Sequence, residues 1–495
     1  MQSRPQNLSE QEIIRRIKLN KIKEIGIESY PAASYHISSC VKKLVENYKE
    51  YAIANIAGRI MRIRIMGNAS FSVLQDHSSF IQLYVRSEKI SNYNIVKKLL
   101  DIGDIIGVKG FIFKTSIGEI SMHVKNIVIL SKSLRPLPQV KSDRQGKIYD
   151  VFSDIDLRHR LRYVDLIVNE SVKTVFCLRS RIIETIREFL NKLHCLEVET
   201  PILQNISGGA SALPFITFHK SLNIPLYLRI ANELYLKRVI VGGFEGIYEF
   251  ARDFRNEGID RTHNPEFTIL ELYVAYKDYY WMMDIMEKLL KTICMKIYNN
   301  TEIKIGNKTI SFTQTFPRIP IDKSIEAYTG INISGMDEDS LRKVCKNLHL
   351  KDDKTMGKGK LIDNLFSDKC ENKYIQPTFI IDHPIEMSPL TKKHRKKRGL
   401  TERFEFFING NEIANSYSEL NDPIEQLKRF KEQLQLAENG DDEAMFIDYD
   451  FIRALEFGMP PNAGIGIGID RLVMFLTKTT SIQEILLFPQ SKTKA

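Results

Sequence analysis

No apolar run in this 495-residue chain is long enough to cross a membrane, so neither a spanning helix nor a membrane partner is expected. The opening MQSRPQNLSEQEIIRRIK lacks the apolar stretch of a signal peptide, and the expected location is cytoplasmic. The six cysteines (Cys40, Cys177, Cys195, Cys294, Cys345, Cys370) form no CxxC pair, which argues against a zinc or disulfide framework and for buried free thiols. No P-loop is present, since GKGK at 357–360 does not match one, and there is no internal repeat. An acidic balance is also lacking. The net charge is +10, which suits a polyanionic partner such as nucleic acid but also a generic basic enzyme. With 43% hydrophobic residues, the chain can build two or more globular domains.

What is present begins with residues 9–29, which read as a basic amphipathic helix. Ser9 and Glu12 are spaced for a capping box, and Ile13, Ile17 and Ile25 mark one face. From 51 to 131 the pattern becomes strands: RIMRIRIM (59–66), FSVLQD (71–76), FIQLYV (80–85), DIIGVKGFIFKT (104–115) and EISMHVKNIVIL (119–130). With a helix expected over 90–102, this order predicts an OB-type barrel, whose open face binds single-stranded nucleic acid by stacking and charge. Arg62, Arg64, Phe71, Phe80 and Gln82 are the residues to watch on that face, with barrel core the alternative for each phenylalanine.

A charged stretch with two prolines follows and sets a linker at 136–154. Val175, Leu178, Ile182, Ile186, Phe189 and Leu193 then keep a helical period. LEVETPIL (196–203) reads as one strand with Pro201 near its middle, hence an edge strand suited to a subunit boundary. A helix over 278–298, a hairpin at 302–313 and a lysine-rich helical stretch over 338–372 complete the outline.

Chemistry concentrates in three places. FRNEGIDRTHNPEF (254–267) lies between two β-rich runs and reads as a charged loop joining two strands. Its Arg255, Glu257, His263 and Phe267 offer a cation for phosphate, an acceptor for an exocyclic amine and a ring for a base, all of which ATP presents. AGIGIGIDRLVMFLTK (463–478) alternates Gly464, Gly466 and Gly468 with apolar residues, which lets a ligand or another backbone come close, before Asp470 and Arg471 open a helix. Glu412 and Glu419, seven apart, suit Mg²⁺ against phosphates, or are simply solvated. The run KKHRKKRG (392–399) reads as a solvated surface loop in preference to a nucleic-acid contact.

Together these segments resemble the class II aminoacyl-tRNA synthetases of subclass IIb. LEVETP resembles motif 1 (about 179–203), the Arg255–Phe267 loop motif 2 (about 246–275), and GIGIGIDR motif 3 (about 463–478). SGGASALPF, YLRIANELYLKR, HNPEFTILELYVAY and EIANSYSELND are similar to segments of the bacterial-type lysine enzymes, and the resemblance covers about residues 9–490. It implies an α+β chain: a helical extension (1–50), an N-terminal OB-fold β-barrel reading the anticodon (51–135), and a class II synthetase antiparallel sheet flanked by helices (155–495). It implies ATP, L-lysine and tRNA(Lys) as partners, Mg²⁺ as cofactor, and a homodimer.

Carried over by position, the resemblance gives Arg255 to the α-phosphate and the amino-acid carboxylate, Glu257 to the adenine amine, and Phe267 to the adenine ring. His263 falls at the outer phosphates, Arg471 at the γ-phosphate, and Glu412 and Glu419 at Mg²⁺. Arg64, Phe71 and Gln82 match positions used on the central anticodon uridine. Glu271 and Tyr273 share one strand face by period two. With Glu425 they form two carboxylates and a phenol suited to an ammonium, and the resemblance gives all three to the ε-amino group. It places Glu233 and the Gly209 backbone at the α-amino group and Asn421 near the carboxylate. The chain departs from the pattern at Leu213, Asn232 and Gly246. The competing readings are an ammonia-dependent amide ligase of the same catalytic fold, which would need neither barrel nor acidic pocket, and a nucleic-acid-binding protein without catalysis.

Overall fold

The computed structural model describes residues 8–490 except 88–92, 94–97, 139–140, 143–147, 150–151, 207, 211, 353–355 and 439–446. Its internal contacts divide into two units, Met1–Ser153 and Asp154–Ala495.

In the first unit, the helix Glu10–Glu24 opens on the capping box expected from sequence. The Ser9 backbone N–H donates to Glu12 at 2.9 Å, and the Glu12 N–H returns to the Ser9 hydroxyl. The helix stops before Gly26, whose φ of +75° turns the chain. Its packed face differs from the expected one. Ile13, Ile17 and Ile25 are exposed, and Arg15 and Ile22 are buried. The Arg15 guanidinium donates to the carbonyls of Ser133 (3.0 Å) and Ile102 (2.8 Å), while Lys18 pairs with Asp101 at 2.6 Å. These polar anchors, rather than the isoleucine stripe, set the helix's rotation.

Five strands follow: β1 (Ile53–Met66), β2 (Ala69–Gln75), β3 (Phe80–Arg86), β4 (Ile105–Lys114) and β5 (Ile120–Ser131). They close into a barrel of order β1-β2-β3-β5-β4 around Ile56, Ile60, Leu74, Leu83, Val108 and Val124. Most of the helix expected over 90–102 lies outside the described residues. Beyond the barrel, β6 (Lys141–Ser142) pairs with β7 (Ile148–Tyr149).

The strands of the second unit are β8 (Leu196–Glu197), β9 (Leu203–Gln204), β10 (Ile216–His219), β11 (Ile224–Leu228), β12 (Gly246–Phe254), β13 (Glu266–Ala275), β14 (Glu302–Ile305), β15 (Lys308–Ser311), β16 (Arg318–Pro320), β17 (Thr378–Ile381), β18 (Arg403–Ile408), β19 (Asn411–Ser418) and β20 (Asn462–Gly468). Eight of them form the main sheet in the order β16-β17-β18-β19-β20-β13-β12-β8. Its inner ladders are antiparallel, but the outermost pair at each edge is parallel, so the sheet is mixed. The helices Glu170–Lys192 and Tyr279–Tyr298 pack on it through Ile182, Ile186, Leu190, Met283 and Leu290. Each such fully buried aliphatic side chain contributes roughly 1.5–3 kcal/mol.

Two expectations are corrected here. LEVETPIL is not one strand: β8 belongs to the main sheet and β9 to a separate sheet of order β10-β11-β9. The break falls at Thr200-Pro201. Proline has no N–H for a ladder, and the Thr200 carbonyl instead accepts from Arg229 at 3.0 Å. The lysine-rich stretch is two helices, Glu338–Asn347 and Lys358–Lys369, separated after His349 takes a left-handed φ of +57°.

Candidate active site

The three sequence motifs converge on one contact. Arg179 of the long helix pairs with Asp470 at 2.7 Å and donates to the Thr268 hydroxyl at 3.0 Å, while Asp470 accepts from the Thr268 backbone at 2.8 Å. This ties the helix start at Asp470 and Arg471 to strand β13, and so orients Arg471.

Strands β13, β20 and β19 lie side by side, with Tyr273 opposite Gly464, Glu271 opposite Gly466, and Tyr417 opposite Gly464. The alternating glycines now have a specific reason. A Cβ on Gly464 would come within 2.2 Å of the Glu419 carboxylate and 2.4 Å of the Tyr273 ring, and one on Gly466 within 2.6 Å of the Glu271 carboxylate. What approaches β20 closely is therefore its neighbours' functional side chains.

Those side chains form a buried acidic pocket. The Tyr273 hydroxyl donates to Glu271 at 3.0 Å, and both residues are buried. Burial, reinforced by Glu233 and Asp253, holds the Glu271 carboxyl well above the usual carboxylate range. Burial and then Glu271 push the Tyr273 phenol up in the same way. Burial likewise raises Glu419, with Lys237 opposing it. Lys237 has no exposed side-chain surface, donates to Glu233 at 2.6 Å and pairs with Glu419. Gly209 has φ +90°, and a Cβ there would lie 3.7 Å from that of Glu233, so its backbone borders the same pocket.

The charged loop joins β12 to β13 as the sequence implied. Arg255 lies over the Phe267 ring at 5.1 Å, and its backbone N–H donates to the Pro265 carbonyl at 2.9 Å. Behind it, burial pushes Asp253 up to about 6, opposed by Arg229 and Arg255. Glu257 is exposed on the loop. At the loop's far side, His263 Nδ1 lies 2.7 Å from Asp260, and its Nε2 lies 2.9 Å from the Arg471 guanidinium. Arginine can only donate, so Nε2 is the acceptor and the imidazole proton is on Nδ1, facing Asp260. Arg471 also donates to the Glu412 carbonyl at 3.0 Å. Three residues singled out from sequence, His263, Arg471 and Glu412, are thus joined through direct contacts.

Other expected groupings are not made. Glu412 lies in β19 beside Arg471, and Glu419 lies just past the end of β19 beside Lys237. Glu425 is held by Arg429 (3.1 Å) and Lys393 (2.9 Å), with no contact described to Glu271 or Tyr273. Asn421 donates to the Met459 carbonyl at 3.0 Å and accepts from Lys392. The basic run 392–399 is exposed but not merely solvated. Lys393, Arg395 and Lys397 are tethered to Glu425, to Asp278 and Glu402, and to Asp382.

The departures have local explanations in two cases. The Asn232 amide donates to the buried Glu249 at 2.8 Å. A Cβ on Gly246 would meet the Cys195 sulfur at 3.0 Å. Leu213 is exposed, and its carbonyl accepts from the Asn256 N–H at 2.8 Å. Lys237, Tyr417 and Asp260 were missed in the sequence. The available signals were Glu233 and Lys237 at helical i, i+4 spacing and Asp260 three residues before His263.

On the barrel, Arg64 lies opposite Phe71, and Phe71 opposite Tyr84. Arg64 is exposed and Phe71 half-buried, with its ring centroid 5.0 Å from that of Tyr84. Gln82 donates to the Ser121 hydroxyl at 3.1 Å. Tyr84 further contacts His123 and Phe113, extending the aromatic surface beyond the residues named from sequence.

Residues 154–492 match the family described as tRNA synthetases class II (D, K and N), and residues 54–130 match the OB-fold nucleic acid binding domain. The chain is 56% identical to a lysine--tRNA ligase of Azobacteroides pseudotrichonymphae, covering 98% of this chain and 99% of that protein. It is 56% identical to one of Porphyromonas gingivalis, covering 98% and 86%. A lysine--tRNA ligase of Christiangramia forsetii is 54% identical, with 98% and 87% covered. With these motifs, this sheet and these relatives, the chain belongs to the class II aminoacyl-tRNA synthetases, in the group that includes the lysine--tRNA ligases.

Proposed function

We infer that this protein attaches L-lysine to tRNA(Lys) through a lysyl-adenylate, consuming ATP. The observation that carries the choice of amino acid is the buried acidic cluster of Glu233, Glu271 and Glu419, in which the Lys237 ammonium pairs with Glu233 and Glu419. A buried acidic cluster of this kind favours a substrate that brings ammonium groups. An aspartate substrate, as an amide-forming ligase of this fold would use, brings a second carboxylate into that field.

In the first step the lysine carboxylate attacks the α-phosphorus and pyrophosphate leaves. In the second the terminal 3′-hydroxyl of the tRNA attacks the adenylate carbonyl and AMP leaves. Neither step needs a side-chain nucleophile, so the residues act by positioning and charge. Arg255 and Phe267 hold the α-phosphate and stack on adenine, and Glu257 accepts from the adenine amine. His263 and Arg471 take the outer phosphates. Gly209 and Glu233 hold the α-ammonium and Asn421 lies near the carboxylate. Glu271 and Tyr273 receive the ε-ammonium, and Glu425, held by Arg429 and Lys393, is the third group given to it.

Glu412 and Glu419 would hold Mg²⁺ only together with phosphate oxygens, since no group of three or more His, Cys, Asp or Glu able to hold a metal ion forms among the described residues. Glu412, Asp363 and Glu371 crowd one another, and together with burial they push Glu405 up to about 8, against Arg403. A cation there relieves that repulsion. Glu412 lies beside Arg471 and Glu419 beside Lys237, and each would offer a carboxylate oxygen to the ion alongside the phosphates. When bound, the metal offsets phosphate charge.

On the barrel, Arg64, Phe71 and Gln82 contact the central anticodon base. Phe71→Ala is expected to lower tRNA charging by about 10- to 100-fold, the cost of one lost stacking platform, while lysine-dependent ATP–pyrophosphate exchange stays at the wild-type rate. Loss of both activities together would mean that Phe71 serves the barrel core instead. A homodimer is supported by the apolar residues Ile216, Phe218, Leu222 and Leu203, all exposed on or beside the β10-β11-β9 sheet. Sedimentation equilibrium should give twice the chain mass, and a single-chain mass at micromolar concentration would refute the dimer.

A further inference from the structure

The reading above gives Lys237 no task beyond its charge. Its ammonium is nonetheless the most enclosed cation of the site. It donates to Glu233 one helical turn away at 2.6 Å, pairs with Glu419 at the end of β19, and lies 5.4 Å from the centre of the Tyr417 ring. Its side chain has no exposed surface. The contact therefore crosses from the helix Glu233–Val241 to the main sheet, and it fixes Glu233 at the very first position of that helix. Glu271 and Tyr273 of β13 face the same carboxylates.

We propose that Lys237 is a positioning residue of the amino-acid site: its ammonium, held between Glu233 and Glu419, fixes the Glu233 carboxylate where the α-ammonium of the substrate is taken. This rests on the assignment of Glu233 to the α-ammonium. A carboxylate at the first turn of a helix has several accessible rotamers, and ordering it during binding weakens affinity. Lys237 orders it in advance. Its own charge also compensates Glu419, and it occupies one oxygen of Glu233, leaving the other for the α-ammonium. A purely structural role is the alternative, and a buried ion pair is often replaceable by neutral isosteres without loss of stability.

The test is lysine binding by titration calorimetry, without ATP or Mg²⁺, on full-length variants. Lys237→Met alone leaves Glu419 uncompensated and is not guaranteed to fold. The balanced double variant Lys237→Met with Glu419→Gln is therefore compared with Glu419→Gln. The double variant should bind lysine about 30- to 100-fold more weakly than Glu419→Gln. ε-Aminocaproate, which keeps the carboxylate and terminal ammonium but lacks the α-ammonium, should bind both variants equally. Equal lysine affinity in the two variants overturns the proposal, as does an equal loss for lysine and ε-aminocaproate. Glu233→Gln separates the two levels of the argument. If that variant binds lysine normally, the α-ammonium assignment fails and the proposal with it. If it binds weakly while the double variant does not, only the role of Lys237 fails.

Discussion

Arg255→Ala should lower lysine-dependent ATP–pyrophosphate exchange by about 1,000-fold or more, with no change in melting temperature. The guanidinium is placed for catalysis more than for stability. It lies over Phe267, and its Nε is buried without a hydrogen-bond partner among the described residues. A buried donor left open in the free enzyme is available to an anion. Removing one preorganised donor from a developing oxyanion costs about 100- to 1,000-fold, and a charged, forked donor stands at or beyond the upper end. Arg255→Lys keeps the charge but loses the planar fork and should recover only part of the rate. Near-normal exchange in Arg255→Ala would remove Arg255 from the reaction.

Glu271→Gln is expected to reduce kcat/KM for lysine about 100-fold and to leave the KM for ATP unchanged. The amide keeps the shape and the Tyr273 contact but cannot offset an ammonium, and a lost charged partner in a buried site costs roughly 2–3 kcal/mol. The pocket's titration supplies an independent check. Burial, then Glu233 and Asp253, hold the Glu271 carboxyl well above the usual carboxylate range. A bound ammonium favours the ionised form, so lysine binding releases a proton wherever the free carboxyl still carries one. Affinity should then fall as the pH drops and rise as it approaches the raised value from below. Calorimetry in buffers of different ionisation heat measures that proton directly. The wild type should release it and Glu271→Gln should release less. Equal release in both would place the proton on another group.

Much of this site was legible because its chemistry is local in sequence. The loop from Phe254 to Phe267 announces itself by composition, and the Glu271–Tyr273 face follows from strand period alone. The alternating glycines of β20 were visible too, but not their reason. That requires knowing that β13 and β19 flank β20 and press Glu271, Tyr273 and Glu419 against it. Lys237 was not legible for a related cause: a lysine in a helix is ordinarily exposed, and only the fold brings Glu419 from 182 positions away to enclose it (419 − 237 = 182). The rotation of the first helix was misread because isoleucines at helical spacing normally mark the packed face. Here Arg15 reaches two carbonyls that no local pattern reveals. The LEVETPIL segment failed as a single strand because apolar alternation does not show that the Thr200 carbonyl is taken by Arg229.

The central claim is that the buried acidic pocket selects lysine. It is tested most directly by ATP–pyrophosphate exchange with each of the twenty amino acids offered singly to the purified full-length chain. The account predicts exchange with lysine and none above background with aspartate or asparagine. Exchange driven by either of those two, or none with lysine, would contradict it.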